Sequence, residues 1–136
     1  MAKINILVVP SDNIGGVGFY RSTQPHVQLE QQFPEDFSVT IDMNPNFRDL
    51  HSFDKYDIIH IHKALFRDMQ GFIIAMEYCK EKGIVTIMDI DDHWELSPHH
   101  PQHSGNMIYK HGQLITDNFK RFDYVTTTTP IFASRI

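Results

Sequence analysis

The sequence is poor in features that mark several classes of protein. It has one cysteine, Cys79, so it cannot form an internal disulfide, and the helix-forming residues around Cys79 predict a packed thiol rather than a nucleophile. No apolar run is long enough to cross a membrane, because the longest, 4–10 and 84–90, have the length of strands and contain polar residues. No charged-then-apolar leader pattern opens the sequence. We therefore expect a cytoplasmic protein that does not span the membrane.

The chain also lacks an excess of basic residues. Its 12 lysines and arginines are outnumbered by 17 acidic residues, and the net charge is -5 with histidine counted as neutral. A nucleic-acid partner is therefore not expected, since phosphate backbones are bound by basic surfaces. The 136-residue length and the 41% of hydrophobic residues suit one globular domain with a substantial core.

Short apolar runs alternate with amphipathic stretches along the chain. Residues 4–10 are almost continuously apolar, which is typical of a strand buried on both faces of a parallel sheet. Pro25 predicts an irregular start to the first helix, Gly83 predicts the end of the second, and Pro130 predicts a helix start. Strands are predicted at 4–10, 37–42, 57–62, 84–90 and 124–128, and helices at 19–33, 68–82 and 107–122. This order predicts an α/β fold: a Rossmann-like, doubly wound parallel sheet in three α/β/α layers, with the first strand inside.

Ligands of such sheets bind beyond the carboxyl ends of the strands, so the residues that follow the strands are the candidates for function. After the first strand, the segment 13–21 contains Gly15, Gly16 and Gly18, where backbone amides could approach an anion near a helix start. Their spacing matches neither the dinucleotide fingerprint nor a Walker loop, so an ordinary tight turn remains an alternative. Arg21 could bind the same anion as a fork donor, or be a solvated surface residue.

Histidines and carboxylates follow the third and fourth strands. His60 and His62 share a face of their strand and could bind a metal, although a hydrogen-bonded core histidine is the alternative, more so for His60. Asp89, Asp91 and Asp92 place three carboxylates within four residues. Burial and repulsion should raise the pKa of at least one, which would make it a candidate proton acceptor. Capping of a turn is the alternative for Asp89 and Asp92. Trp94 is expected to cover the edge of the core rather than stack on a sugar.

Four segments together resemble a known family. Residues 56–62, YDIIHIH, resemble the "YDvvHiH" strand of GT-B-fold glycosyltransferases of the group 1, family 4-like type, and residues 82–87 are similar to their "kgiPvv" strand. Gly15 and Gly16 resemble the glycine-rich loop, and residues 122–129 resemble "aD.vit.S". The order of these segments agrees over nearly the whole chain. Where many members have "T.HD.w", this chain has DIDDHW at 89–94, with Asp91 at the histidine position.

The resemblance implies that residues 1–136 are a single acceptor-side domain, the N-terminal part of a longer glycosyltransferase. Its partner would be the C-terminal, donor-binding domain of the same chain, which this sequence does not contain. The complete protein would transfer a sugar from a nucleotide-diphosphate sugar to a hydroxyl acceptor in glycan biosynthesis, and this fragment alone would be inactive. The family generally needs no metal bound by a DxD motif, so no cofactor and no metal site are expected.

The resemblance also implies roles for particular residues. Gly15 and Gly16, with Arg21 as a further anion ligand, would contact the donor diphosphate. The acceptor side of the cleft would be lined by four residues, of which two are assigned to catalysis, Asp91 and Asp92, and two to acceptor binding, His62 and His93. Two other functions remain as alternatives. One is a non-catalytic α/β module that binds an anion or another ligand, and the other is a metal-dependent hydrolase with the ligands His60, His62, Asp89 and Asp91.

Overall fold

The fold is an α/β domain built on one parallel sheet. The computed structural model describes residues 2–12, 15–94, 96–108 and 110–136. Within these residues the sheet has five strands in the order β2-β1-β3-β4-β5, and every neighbouring pair is parallel. The strands are β1 (Ile4–Val9), β2 (Phe37–Ile41), β3 (Ile58–His62), β4 (Val85–Asp89) and β5 (Tyr124–Thr126). The predicted Rossmann-like α/β fold and the interior position of the first strand are confirmed.

Helices connect the strands. A π-helical turn (Phe19–Thr23) leads directly into α1 (Gln24–Gln32), and a short 3-10 helix covers Leu50–Phe53. The other helices are α2 (Met69–Lys82), α3 (His103–Ile108), α4 (His111–Phe119) and α5 (Pro130–Ala133). The predicted bounds of α2 are confirmed, because the Asp68 carboxylate accepts from Gly71 N at 3.0 Å and Gly83 ends the helix at φ 73°. No helix in the described ranges is long and apolar enough to cross a membrane.

The two faces of the sheet differ in chemistry. One face, which includes Leu7, Ile59, Ile61 and Met88, packs into the main apolar core with α2. Cys79 lies in this core, where burial raises the pKa of its thiol to about 12, so the predicted packed, unreactive thiol is confirmed. The opposite face carries polar side chains at adjacent register positions, His60, His62, Asp89 and Thr126. The π-helical turn lies over this polar face, and the candidate site is located on that face.

The predicted helix 107–122 is wrong in its bounds and in its continuity. The chain instead forms α3 and α4, with Lys110 between them at φ 52°, a left-handed conformation that an α-helix cannot contain. The break brings Gly112 against Trp94, where an added Cβ would lie 3.3 Å from the indole. The fifth strand is also shorter than predicted, since it ends at Thr126, and Thr129 caps α5 by accepting from Phe132 N at 3.1 Å.

Candidate functional site

The glycine-rich loop after β1 is organised by an aspartate. Of the predicted loop, Asn13 and Ile14 lie outside the described residues. The Asp12 carboxylate accepts from Gly18 N at 2.8 Å and from Phe19 N at 3.4 Å. The bond from Gly18 lowers the pKa of Asp12. Gly15 has φ +76°, and a Cβ on Gly16 would lie 2.6 Å from the Asp12 carboxylate, so both positions favour glycine. Amides at the helix start are therefore bonded to a carboxylate of the protein itself, and donor contact by Gly15 and Gly16 stays a prediction.

Replacing Gly16 with alanine tests this account of the loop. The added Cβ would collide with the Asp12 carboxylate and displace it from Gly18 N, so we expect the melting temperature to fall by a few degrees, on the order of the effect of a lost cap. Gly105→Ala is the matched control, since nothing lies within 4 Å of its Cβ position and alanine favours a helix. Equal melting temperatures for the two variants, measured by circular dichroism, would contradict the account.

The π-helical turn aims Arg21 at the sheet. Pro25 has no N–H and cannot donate to the carbonyl of Arg21, and Gln24 N bonds Phe19 O five residues back, so the turn is wider than an α-helical one. Arg21 donates from Nε to Asp89 Oδ2 and from Nη2 to Asp89 Oδ1, both at 2.6 Å. This fork is bidentate, the geometry in which guanidinium binds carboxylate best. Arg21 is therefore bound to the protein, and its predicted contact with a donor phosphate is untested.

Asp89 is the buried centre of the polar face. Its side chain is 4% exposed, and it also accepts from Thr126 Oγ1 at 2.6 Å. Burial alone would raise the pKa of Asp89, but the hydrogen bonds from Arg21 and Thr126 outweigh it and the pKa is lowered. Asp89 is thus not the carboxylate with a raised pKa that was expected among Asp89, Asp91 and Asp92. Asp89 is an ionised structural anchor that holds β4, β5 and the π-helical turn together.

His62 links two of the strand ends through both of its ring nitrogens. Its Nδ1 lies 2.7 Å from Ser11 Oγ, and its Nε2 lies 2.8 Å from Asp91 Oδ1. The His62 side chain is 0% exposed, whereas Ser11 is exposed. The result is a hydrogen-bonded chain that runs from a surface hydroxyl through a buried imidazole to a carboxylate. The predicted residues His62 and Asp91 are thus brought together.

The backbone directly after β3, next to the hydrogen-bonded chain Ser11–His62–Asp91, is strained. Lys63 and Ala64 are consecutive residues with positive φ, 69° and 50°, a conformation that non-glycine residues rarely adopt. Two bonds hold them there, from Lys63 N to Asp89 O at 3.0 Å and from the buried Asn118 Nδ2 to Ala64 O at 2.9 Å. The bend places Lys63 Nζ 3.2 Å from Asp92 Oδ2. A cation is therefore fixed at the carboxyl edge of the sheet.

Asp91 and Asp92 differ in their surroundings. The Asp91 side chain is 9% exposed and lies 3.6 Å from Lys63 Nζ as well as against His62, whereas the Asp92 side chain is 74% exposed. Asp91 has the geometry of a carboxylate that orients an imidazole. Asp92 is bonded by Lys63 Nζ at 3.2 Å, and its predicted catalytic role stays a prediction.

His60 has the character of a core histidine. Its ring centroid lies 4.7 Å from that of His26, and burial, with the nearby His26, lowers the pKa of His60 to about 4. His60 is therefore neutral near pH 7. In the part of the chain that the structure describes, no three histidine, cysteine or acidic side chains are arranged to hold a metal ion. The geometry gives the metal-hydrolase alternative no support, because Asp89 is bound to Arg21 and His62 to Ser11.

A cleft of about 530 Å³ opens beside Ser11, at one end of the hydrogen-bonded chain Ser11–His62–Asp91. One end of the cleft is polar and is formed by Ser11, His62 and Lys63. The rest of the lining is mixed: Asn44, Arg67 and Asp68 are polar or charged, and the apolar residues are Pro10, Met43, Pro45, Phe47, Leu65 and Phe66. A cleft that combines apolar side chains with several polar groups suits a ligand whose hydroxyl group must be oriented.

A second cleft, of about 400 Å³, lies on the other side of Lys63 and is lined partly by Asp92, His93 and Trp94. The His93 ring stacks on Trp94 with a centroid distance of 5.0 Å and an angle of 11°. Trp94 in turn meets Phe119 edge-on at 4.8 Å, so it covers the edge of the core as predicted. His93 thus faces a cleft, and its predicted contact with an acceptor stays a prediction.

Sequence reasoning missed two residues of the site, Ser11 and Lys63. Lys63 directly follows β3 and Ser11 follows β1 after Pro10, and this position past a buried strand is the signal that could have identified them. The pairing of Arg21 with Asp89 had no local signal, since 68 positions separate the two residues.

Comparison with known proteins identifies no family for the chain. No family model matches it, and no curated protein matches it. Among solved structures, the chain is similar to a crystal structure of a protein from Burkholderia pseudomallei K96243 that is described as related to pilus assembly. The two share 14% sequence identity, the TM-score is 0.45, and the match covers 93% of this chain and 78% of the other. This likeness concerns the fold alone.

Proposed function

We propose that the chain is the acceptor-side domain of a GT-B-type glycosyltransferase, which transfers a sugar from a nucleotide-diphosphate sugar to a hydroxyl acceptor in glycan biosynthesis. The observation that carries the proposal is the chain Ser11–His62–Asp91 at the polar end of the 530 Å³ cleft. Such a chain suits a reaction in which a hydroxyl group must lose its proton as it attacks. The cleft lies at the carboxyl edge of the sheet, where α/β folds bind ligands.

The charges at this edge suit the second requirement of sugar transfer. The transition state resembles an oxocarbenium ion, and the departing diphosphate needs cationic or amide groups to stabilise it. Lys63 lines both clefts, and Gly15 is exposed in the loop next to Ser11. In the proposal the diphosphate approaches this loop, and the C-terminal domain of the same chain holds the nucleotide. The protein acts in the cytoplasm without a metal cofactor.

Acceptor binding by this chain tests the proposal in the first instance. Titration of the 15N-labelled chain with short oligosaccharides is expected to shift amide signals of Ser11, His62 and Lys63, because these residues form the polar end of the cleft. Signals of Asp54 and Tyr78, which bond each other elsewhere on the surface, serve as the control and should not move.

Sugar transfer is the decisive assay and requires the protein encoded by the complete reading frame. A panel of nucleotide-diphosphate sugars is incubated with the oligosaccharides that bind, and products are identified by mass spectrometry. Transfer supports the proposal. Binding of oligosaccharides without transfer or donor hydrolysis would favour the non-catalytic binding module. If the protein neither binds oligosaccharides nor transfers sugar, the proposal is contradicted outright.

A further inference from the structure

We propose that Ser11 is the residue that contacts the reacting hydroxyl group, and that it passes the proton of that group to His62 while Asp91 positions the imidazole. This inference rests on the proposed function and assigns the proton path within it. It gives a catalytic role to a residue that the sequence analysis did not select. It also changes the role of His62, from a group that binds the acceptor to one that acts behind Ser11.

Accessibility is the first argument. The His62 side chain is 0% exposed and both of its ring nitrogens lie within hydrogen-bond distance of protein oxygens, so it cannot itself reach a ligand without breaking one of these bonds. Ser11 is exposed and lines the cleft. A hydroxyl group bound at the polar end of the cleft therefore meets Ser11 Oγ before it meets the imidazole.

The direction of the hydrogen bonds is the second argument. A carboxylate only accepts, so Nε2 of His62 carries the proton that is donated to Asp91. In the neutral ring Nδ1 is then the acceptor, and the hydroxyl of Ser11 donates to it at 2.7 Å rather than to Asp12 Oδ2, which lies 3.5 Å away. The lone pairs of Ser11 Oγ are then available to accept from the hydroxyl group of an acceptor, because Ser11 lines the cleft.

The proton path follows from this arrangement. As the acceptor oxygen forms a bond to the anomeric carbon of the donor, the bond between that carbon and the diphosphate oxygen breaks, and the diphosphate leaves with the electron pair. The acceptor proton moves to Ser11 Oγ, and the Ser11 proton moves to His62 Nδ1. The imidazolium that results is stabilised by Asp91 Oδ1 at 2.8 Å. The proton returns to solvent or to the diphosphate after the product leaves.

Packing around the hydrogen-bonded chain Ser11–His62–Asp91 favours one position of the Ser11 hydroxyl. An added Cβ on Gly18 would lie 2.7 Å from Ser11 Oγ, so the glycine makes room for the hydroxyl at its present position. On the other side, Lys63 Nζ lies 3.6 Å from Asp91 Oδ1, and the strained backbone of Lys63 and Ala64 holds it there. A positioned donor and acceptor pair is what proton transfer requires.

Chemical labelling of this chain tests the activation of Ser11 without any sugar transfer. A serine whose proton is drawn to an imidazole attacks phenylmethanesulfonyl fluoride, so that an O–S bond forms, the S–F bond breaks, fluoride leaves and the proton goes to His62. Ser11 is expected to be labelled about 100-fold faster than Ser104, the exposed serine of α3 that serves as the internal control. His62→Gln should remove that advantage. Equal labelling of the two serines, measured by peptide mass spectrometry, would overturn the proposal.

Kinetics of the complete protein then separate this inference from the proposed function. Ser11→Ala is expected to lower kcat about 100-fold with little change in KM for the donor, whereas Ser104→Ala should leave both constants unchanged. If wild type transfers sugar and Ser11→Ala keeps its kcat, the inference is wrong and the proposed function stands. If labelling shows that Ser11 is activated but the wild-type protein transfers no sugar, the proposed function is wrong, and the activation of Ser11 by His62 still holds.

Discussion

Replacing Arg21 with methionine is expected to lower the free energy of unfolding by about 2–4 kcal/mol, because it leaves the carboxylate of Asp89 buried without its main partner. Arg21 is 27% exposed and Asp89 is 4% exposed, so the pair is partly shielded from water. We place the loss below the range for breaking a fully buried pair, since solvent reaches the arginine. The measurement is urea unfolding of the two proteins at pH 7, with the slope of the transition checked for equality.

Arg48→Met is a matched control for this prediction. Arg48 binds Asp68 with the same bidentate pattern at 2.8 Å, but the two side chains are 59% and 43% exposed. An exposed pair contributes little, so no measurable loss of stability is expected. Equal losses in both variants would show that the burial of Asp89 is not the cause.

The pH dependence provides a second test of the Arg21 variant. The pKa of Asp89 is lowered in the folded state, so its contribution to stability is present above the ordinary aspartate pKa of about 4 and is lost as the pH falls through the folded value. In Arg21→Met the buried carboxylate can take up a proton instead, which removes its charge. The difference in stability between wild type and variant is therefore expected to shrink between pH 7 and pH 3. A difference that is constant over this range would contradict the assignment.

Asp91→Asn in the complete protein is expected to reduce sugar transfer about 100- to 1,000-fold while leaving the fold intact. The substitution keeps the shape and removes the charge that stabilises a protonated His62. The new amide can also donate to Nε2, which would place the ring proton on Nδ1 and stop Ser11 from donating there. We expect kcat to fall more than KM rises, because the lost interaction is strongest in the transition state.

Two comparisons sharpen the Asp91 prediction. Asp92→Asn should have a smaller effect, since Asp92 is 74% exposed and contacts Lys63 at the rim. Asp54→Asn, on an exposed surface beside Tyr78, should leave transfer unchanged. Circular dichroism and donor titration establish that each variant folds and binds. Unchanged turnover in a folded Asp91→Asn protein would remove Asp91 from the mechanism.

The sequence predicted the fold well because its signals are local. The apolar strand runs and the Gly83 stop of α2 each act within one turn or strand, and both appear in the structure. The single helix 107–122 was wrong because Lys110 adopts a left-handed conformation that no local rule assigns to lysine. The break accompanies a contact between Gly112 and Trp94, two residues that are far apart along the sequence.

The sequence predicted which strand ends carry the site residues, but not which of these residues bond to one another. Carboxyl ends of strands could be identified from the sequence, and with them His62 and Asp91. The partners of these residues could not, because His62 meets Asp89 and Asp91 only through the parallel register of β3 and β4, which places His62 opposite Asp89. The partnership of Asp89 with Arg21 was missed for a different reason: it depends on the π-helical turn, which aims Arg21 at the sheet.

The amino-acid sequence by itself determined the order of strands and helices, the apolar character of the core and the wide helical turn before Pro25, since each depends on neighbours within a few residues. Only the tertiary structure decided which polar groups meet. It joined Ser11, His62 and Asp91 into one hydrogen-bonded chain, and it turned Arg21 toward Asp89. The physical reason is that hydrogen bonds and charge pairs act over a few ångströms, whereas the residues that form them lie up to 68 positions apart along the chain.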